Sequence, residues 1–584
     1  MSKRMTHVLS NSRCVSRGKA ALCFLLLAAL PVAGAALGIL PEWSRADPLH
    51  PAPAPAREIA LTGARGSYVS CQLEAAPGAN GQYTISVETK GLDVDLFREW
   101  FHWTPAAKAH IPDALIPVSS PYRSTLPDAE NKIEGQRAQT FWVDIWIPRD
   151  ARPGKYAVTA KLESAGSAAT ARINIDVLNV AAPERDAIAI DHNTYGTSWM
   201  FTQYRDPDVY KLIHAYHRLI YEHHGVFHQL GYGHAGKVGP EFAPVLAGTG
   251  KSKHVADWKP YDEHYGPLLD GSAFASTRRG ARPVPFVYLP INPEWPASYL
   301  WWGEPGYERE FVNVVSEMER HFREKGWTQT RFELFFNHKK RYKGFSWDGD
   351  EARFPADYAF MKEYARFMKA AVPTDSPVKF VFRADVSWTM ERQFRDLAGV
   401  INFWVCGGML GWYRGAPEML KSRGDIVWIY GGTPPVTKPL SHMTTDPLRT
   451  WLWGVDGYVR WLTTDPGKDP WFNFEGGAEA LVYPWRDGPI ASMRLKVQRN
   501  AIQDINLLDA MKASRAEVAR RFNDTSVDEW WTPRPKLADT DPLDWNNADI
   551  DEATPRPPKF ANIDADAWRR VRAYVIELAS KVAR

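Results

Sequence analysis

The chain has 584 residues, a formal net charge of +3 and 24% charged residues. Its length calls for more than one domain, and its composition is that of a folded globular protein rather than a disordered one. So small a charge excess gives no electrostatic case for a nucleic-acid partner. Aromatic residues are frequent, with 25 Trp, 23 Tyr and 26 Phe. Such rings bury large apolar areas in cores, and their flat faces also suit the axial C–H groups of sugars.

In chain order, residues 1–19 carry Lys3, Arg4, Arg13, Arg17 and Lys19 and no acid, and an apolar run follows from Ala20 to Leu40. A basic segment followed by an apolar one reads as an export signal. Ala33-Gly34-Ala35 and Ser44-Arg45-Ala46 both offer small-residue cleavage positions. The run is also long enough to span a bilayer as an uncleaved anchor. Residues 1–46 are therefore expected to be a signal peptide or N-terminal anchor of an exported protein, periplasmic, secreted or anchored facing outward. Membrane contact is expected only through that segment. Pro51-Ala52-Pro53-Ala54-Pro55 marks 47–56 as a stiff linker. Of four cysteines, Cys14 and Cys23 fall in the leader. Cys71 and Cys406 are too far apart in sequence to suggest a disulfide framework. No CxxC or HExxH spacing points to a metal, and no cofactor is expected.

Residues 57–182 read as all-β. Tyr83–Val87 alternates, Phe141–Ile147 is a strong strand, and Arg152-Pro153-Gly154-Lys155 is a turn into a return strand, Tyr156–Leu162. Ala171–Val180 alternates and closes the domain. Short strands separated by turns fit a β-sandwich.

Over 183–521 the period changes. Strand-like runs at Ile188–Asp191, Val226–Leu230, Pro285–Leu289, Arg331–Phe336, Lys379–Arg383, Val400–Val405, Ile426–Tyr430 and Tyr458–Leu462 alternate with helical patterns, notably Val209–His223, Glu308–Lys325 and Pro355–Ala371. This alternation is that of a (β/α)8 TIM-type barrel, so the fold class is α/β, a barrel preceded by an all-β sandwich. An open doubly wound sheet lacks its Gly-rich βα turn here. One long helix is expected from Ile490 to about Arg521. Residues 522–584 read as a Pro-, Asp- and Trp-rich irregular tail ending in an amphipathic helix, Ala567–Val582.

In such a barrel, polar residues at the C-terminal ends of strands are site candidates. They are Asn193, Tyr195, Tyr232, His234, Asn292, Asn337, His338, Arg383, Asp385, Tyr430 and Trp461. Acids concentrate after the fourth strand, at Asp348, Asp350 and Glu351. Glycoside hydrolysis needs a carboxylic acid to protonate the leaving oxygen and a second group to stabilise the oxocarbenium-like centre. Asp350 and Glu351 can supply both, provided the chain bends there, and Gly349 permits a bend. Ordinary loop polarity explains the same residues equally well. The histidines His223, His224, His228 and His234 read better as a helix end and polar strand tips than as metal ligands.

The segment 476–511, with Tyr483-Pro484, Ser492-Met493-Arg494-Leu495, Arg499 and Asp504, resembles the C-terminal signature of domain-of-unknown-function 4091 proteins, the catalytic barrel of glycoside hydrolase family 123. Asp456–Leu462 is similar to that family's eighth-strand segment, and Trp142–Tyr156 to the sandwich that precedes its barrel. The resemblance implies an Asp-Glu dyad and a substrate-assisted retaining mechanism on 2-acetamido sugars, of N-acetylgalactosaminide type. Asp350 would be the stabiliser and Glu351 the acid/base. Asn337, His338, Arg383, Asp385, Tyr430 and Trp461 are the expected substrate-binding residues, and the expected partner is an oligosaccharide, polysaccharide or glycoconjugate. In the family the dyad stands close to the strand end, whereas here Asn337-His338 takes that place and the dyad follows later. That departure motivates the alternative, a non-catalytic glycan-binding or envelope scaffold protein with a degenerate hydrolase barrel.

Overall fold

A computed structural model describes residues 34–582, apart from 79–80, 300–302, 353, 387–389, 409, 411–414, 476–479 and 523–561. The leader up to residue 33 and the Trp-rich tail segment lie outside the described residues. The N-terminal domain is a β-sandwich of two five-stranded sheets. One sheet contains β1 (Ala36–Pro41), β3 (Ser67–Ala76), β8 (Gln139–Ile147), β5 (Asp93–Thr104) and β6 (Ala109–Val118), in that spatial order. The other contains β2 (Glu58–Arg65), β10 (Ser167–Ala181), β9 (Gly154–Ser164), β4 (Gln82–Thr89) and β7 (Tyr122–Thr125). Inward residues alternate as a pleated strand requires: Ala169, Ala171, Ile173, Ile175 and Val177 from β10 meet Phe141, Val143, Ile145 and Ile147 from β8. Burying one such Val, Ile or Phe side chain is worth roughly 1.5–3 kcal/mol.

Two expectations are corrected in this domain. The strand β9 does not return beside β8 but crosses to the opposite sheet, where it pairs with β10 and β4. Residues 36–46, assigned to the leader, are built into the sandwich. Here β1 pairs antiparallel with β3 and buries Leu37 and Ile39, and the Gln72 side chain donates to the carbonyls of Pro41, Glu42 and Ser44. The proposed linker is likewise held down, since Ala52 N–H donates to Glu74 at 3.0 Å and Pro48 accepts from Arg137 and Ala138. An apolar edge strand and the end of an export signal look alike in sequence; only pairing distinguishes them.

The second domain is a parallel barrel. Its strands are β11 (Ala189–Tyr195), β12 (Val226–Leu230), β15 (Phe286–Tyr288), β16 (Arg331–Leu334), β17 (Lys379–Val386), β18 (Phe403–Cys406), β19 (Ile426–Gly431) and β20 (Gly457–Arg460). They form one sheet in the order β12-β11-β20-β19-β18-β17-β16-β15. Between β12 and β15 lies a small outer hairpin, β13 (Val245–Ala247) and β14 (His254–Asp257). No ladder joins β12 to β15 among the described residues. Instead the His228 ring stacks on Tyr288 at 3.8 Å, closing the seam with side chains. The helices α1 (Ser198–Gln203), α2 (Val209–Glu222), α3 (Lys259–Leu269), α4 (Tyr307–Glu324), α5 (Lys340–Lys343), α6 (Pro355–Ala371), α7 (Met390–Asp396), α8 (Ala416–Ser422) and α9 (Thr445–Leu452) follow the strands. The barrel floor is apolar, filled by Phe286, Val381, Phe403, Val405, Trp428 and Val459.

The long closing helix is also corrected. Ile490 and Ala491 belong to a hairpin, β21 (Val482–Trp485) with β22 (Gly488–Ala491), and α10 runs over Met493–Ala510. The chain then breaks at Lys512, with φ +53°, and restarts as α11 (Arg515–Phe522). Ser514 caps the restart by accepting from Glu517 N–H, an S-x-x-E pattern legible in the sequence. The last helix, α12 (Ala565–Val582), packs beside α11 and α10.

Candidate active site

The site is built on the segment after β16. Phe335 and Asn337 continue the inward face of that strand, while Phe336 and His338 point outward, as period-two alternation demands. Phe335 lies against Leu230, Tyr232 and Tyr288 inside the barrel. Outside, His338 is fully buried between Phe345 and Trp347, and burial pushes its imidazole down to about 3. His338 was expected to bind substrate, but its ring lies behind the strand in an aromatic wall, because the in-and-out alternation continues past the end of β16 through His338.

From Lys339 the chain leaves the barrel, forms α5 and returns. The return is anchored to the strand end: His338 O accepts from Gly349 N–H at 3.0 Å and from Asp350 N–H at 3.3 Å. The delayed dyad therefore ends up beside Asn337-His338, where a dyad at the strand end would stand. Gly349 is needed for space, because a Cβ there would meet Phe336 Cβ at 2.5 Å and the His338 ring at 2.7 Å. The bend expected at Gly349 is made by Glu351 itself, which adopts φ +52°. A non-glycine residue in this region carries of order 1–3 kcal/mol of strain, which the surroundings must hold. Asp348 staples the base of the loop, accepting from Lys340 N–H at 2.7 Å while its own N–H donates to Asp357.

Three groups from separate elements surround the dyad. Lys339 Nζ lies 2.8 Å from Asp350 Oδ2 and 3.5 Å from Glu351 Oε2. His234 Nε2, beyond β12, is 3.4 Å from Asp350 Oδ2. Tyr430 O–H, at the end of β19, donates to Glu351 Oε1 at 2.8 Å. Burial works to raise the Asp350 carboxyl, but His234 and Lys339 outweigh it and hold the group below its ordinary value. Tyr430 is raised by burial and by the neighbouring Glu351. The rim is aromatic: Trp461 is 37% exposed and packs edge-on against Tyr195 at 5.2 Å, and Tyr342 stacks on His234 at 5.1 Å.

Below the dyad lies a buried charged layer. Arg383 reaches Asp385 through Nε at 2.8 Å and Nη2 at 3.2 Å, and donates to Tyr288 at 2.7 Å and Glu333 at 3.3 Å. His228 bridges Asp191 at 2.8 Å and Glu333 at 3.1 Å. Burial opposes a charged imidazole there, yet Glu333 and Asp191 raise it to about 9. Burial, against the pull of Arg383, raises Asp385 to about 6, with Asp350 and Glu351 adding to the rise. Asp385 thus stands close enough to feel the dyad's charge while Arg383 holds both its oxygens.

The structure brings together Asp350, Glu351, Tyr430, Asp385 and Arg383 around the barrel mouth, with Trp461 at the rim and Asn337 on the inner face. It turns His338 away. Asn292 is taken up by a turn, donating to Gly236 O and accepting from Glu294 N–H. Lys339 was missed as a site residue, although its position two residues after Asn337 at a strand end was a usable signal. Glu333 and Asp191 were missed because they stand within strands, where a sequence pattern shows a side-chain face but not its partners.

The family model for the glycoside hydrolase 123 catalytic domain matches residues 421–511, from the end of α8 through α10 and short of the Asp350-Glu351 loop. Among solved structures, a family 123 glycoside hydrolase from Clostridium perfringens, described for glycolipid glycan hydrolysis, superposes with a TM-score of 0.60 at 13% identity. The match covers 94% of this chain and 99% of that one. A Bacteroides fragilis putative alpha-galactosidase matches at 10% identity over 76% of this chain and 77% of its own, with a TM-score of 0.28. A comparison with curated protein sequences gave no match. The local match to a glycoside hydrolase catalytic domain, together with the shared sandwich-and-barrel fold, supports the glycoside hydrolase class. Over residues 421–511 the chain is similar to the glycoside hydrolase 123 catalytic domain, and its sandwich-and-barrel fold is shared with the family 123 structure.

Proposed function

We propose that the protein cleaves O-glycosidic bonds of 2-acetamido sugars by a substrate-assisted retaining mechanism, with Asp350 and Glu351 as the working dyad. The observation that carries this reading is the folded-back loop, which returns both carboxylates to the end of β16. In the first step the acetamido carbonyl oxygen attacks the anomeric carbon and the C–O bond to the leaving group breaks. Glu351 gives its proton to the departing oxygen, and Asp350, held ionised, accepts the acetamido N–H and steadies the positive oxazolinium. In the second step Glu351 takes a proton from water as that water attacks the anomeric carbon, reopening the ring with net retention. Trp461 and Tyr195 offer ring faces to the sugar.

Asp385 makes a poorer nucleophile for double displacement, since Arg383 engages both its oxygens. The basic and apolar N-terminal residues support an exported enzyme acting on extracellular or periplasmic glycans.

The test is hydrolysis of a panel of aryl glycosides with and without the 2-acetamido group. Cleavage is expected only with that group, and Glu351→Gln is expected to lower kcat/KM by about 10²–10⁴-fold, the usual range for general acid–base catalysis. Unchanged turnover in Glu351→Gln removes the dyad assignment. Cleavage of sugars lacking the acetamido group removes the substrate-assisted step.

A further inference from the structure

We propose that the glycan held at this barrel mouth carries an acid group, a carboxylate or a sulfate, beside its 2-acetamido sugar, and that Arg341 and Lys237 on the rim receive it. The inference rests on the dyad reading for the place of the cleaved bond, and adds to it the charge class of the substrate.

The basic loop after β16 spends most of its cations on nearby acids. Lys339 pairs with Asp350 at 2.8 Å, Lys340 with Asp357 at 3.3 Å, and Lys343 with Glu294. Arg341 is exposed and makes no ion pair among the described residues. It is nonetheless held in place. Its guanidinium carbon lies 4.9 Å from the centre of the Tyr342 ring, and Nη2 donates to the Tyr342 hydroxyl oxygen at 3.1 Å. Tyr342, itself 51% exposed, stacks on His234, whose Nε2 is 3.4 Å from Asp350. An unbroken path of side-chain contacts therefore leads from the dyad outward to Arg341. A guanidinium carries five N–H donors in one plane, so the bond to Tyr342 leaves most of them for an oxyanion, which that fork can meet with two parallel bonds. Resting on a ring, the guanidinium has less freedom to lose when it binds.

A second cation comes from another element. Lys237, three residues past His234 in the loop after β12, is exposed and makes no ion pair among the described residues. The two loops are fixed to each other: Lys339 N–H donates to His234 O at 3.2 Å, and a Cβ on Gly236 would meet the Phe345 ring at 2.7 Å. Glu241, the nearest acid along the chain from Lys237, is held by the Thr197 hydroxyl. Inside the mouth, Asp350 and Asp385 are already engaged by Lys339 and Arg383. The rim thus presents two uncommitted cations on adjoining loops. A neutral glycan makes no use of them. An acidic one gains twice, from attraction during approach and from charge-assisted hydrogen bonds once seated. A carboxylate and a sulfate offer a guanidinium the same kind of oxyanion, so the experiment separates them.

Three probes test this: a hexasaccharide of alternating 2-acetamidogalactose and glucuronic acid, the same chain after carboxyl reduction, and the reduced chain bearing sulfate on its primary hydroxyls. Each is titrated calorimetrically into the full chain carrying Glu351→Gln, at low and at high salt. The preference for acid over neutral probe is read as a ratio of dissociation constants, or of kcat/KM where Glu351→Gln turns the probes over. Such turnover removes the dyad reading and leaves the ratio to decide the inference. At least one acidic probe is expected to bind about fivefold more tightly than the neutral one at low salt, the upper range for an exposed ion pair, and the advantage is expected to shrink at high salt. Whichever acid is favoured identifies the group received. Adding Arg341→Gln is expected to remove most of the ratio and Lys237→Gln part of it, while Arg341→Lys keeps more than Arg341→Gln; circular dichroism establishes that each variant is folded. Equal affinity for acidic and neutral probes, or binding of none, overturns the inference. So does a ratio unchanged when Arg341→Gln and Lys237→Gln are combined. An equal weakening of acidic and neutral binding in Arg341→Gln also overturns it, since that is what a merely structural arginine would give.

Discussion

At the residue scale, the site depends on one place where a side chain cannot fit. Gly349 lies against Phe336 and His338, and its N–H and that of Asp350 both bond to His338 O. A methyl group there must displace Phe336 or the buried imidazole, and overpacking of this kind costs typically about 1–3 kcal/mol. Gly349→Ala is therefore expected to lower the melting temperature and, because the loop carries the dyad, to reduce kcat more than stability alone predicts. Misplacement of a catalytic group by about 1 Å can cost roughly 10²-fold. Parallel measurement of kcat and thermal unfolding checks this; full kcat at a lowered melting temperature would show that the dyad is positioned without this contact. The pattern DGDE showed the acids plainly, yet the reason for the glycine was not legible, because Phe336 and His338 are distant in the loop's path and meet Gly349 only after it folds back.

At the element scale, α10 presents an unusual case: a helix buried nearly all round yet rich in polar residues. Arg494, Lys496, Gln498, Arg499, Asn500, Gln503 and Asn506 are all buried. Each reaches across a seam. Arg494 donates to Asp113 and to Pro434 O, and Tyr483 O–H donates to the same Asp113. Lys496 and Arg499 converge on Asp144, which also accepts from Ser70 and the Trp142 indole. Tyr483, Arg494 and Arg499, three of the residues that carry the family resemblance, thus join barrel to sandwich. Burial opposes ionisation of Asp144, but Arg499 and Lys496 hold it well below the ordinary carboxylate range. Removing its charge leaves two buried cations without their partner, which costs about 3–5 kcal/mol. Asp144→Asn is expected to lose stability of that order in urea unfolding, with kcat of the remaining folded enzyme little changed because the pair is remote from the dyad. A loss below about 1 kcal/mol would mean that water reaches the seam. The break between α10 and α11 shows the limit at this scale: helical periodicity continued through Lys512-Ala513-Ser514, and the capping pattern Ser514–Glu517 was the weaker but correct signal.

At the scale of the whole molecule, the sandwich begins earlier than the composition suggested. β1 supplies Leu37 and Ile39 to the core, and Glu42 accepts from Asn500 on α10 and pairs with Arg572 on α12. The N-terminal segment therefore ties together the sandwich, the closing helix and the last helix. Of the two small-residue positions, a break near Ala33-Gly34-Ala35 leaves this arrangement whole, whereas one after Ala46 removes it. A chain starting at Asp47 is expected to unfold at a lower temperature than one starting at Gly34, measured by calorimetry at equal concentration; equal melting temperatures would show that β1 contributes nothing to the core it covers.

Periodicity by itself determined the order of elements. The helix Pro355–Ala371 and the strand Val226–Leu230 lie where the pattern put them, and the remaining barrel strands differ mainly at their ends. Barrel strands and helices announce themselves through contacts repeated along their own length, so local pattern suffices. Composition and the acid-rich loop likewise pointed to Asp350 and Glu351. Tertiary structure alone decided which face His338 takes, that the loop returns to the strand end, that Lys339 stands between the two carboxylates, and that Leu37 and Ile39 serve a core. Each of these depends on a partner far away in sequence, and a sequence pattern records a residue's own preference but not the group it will meet.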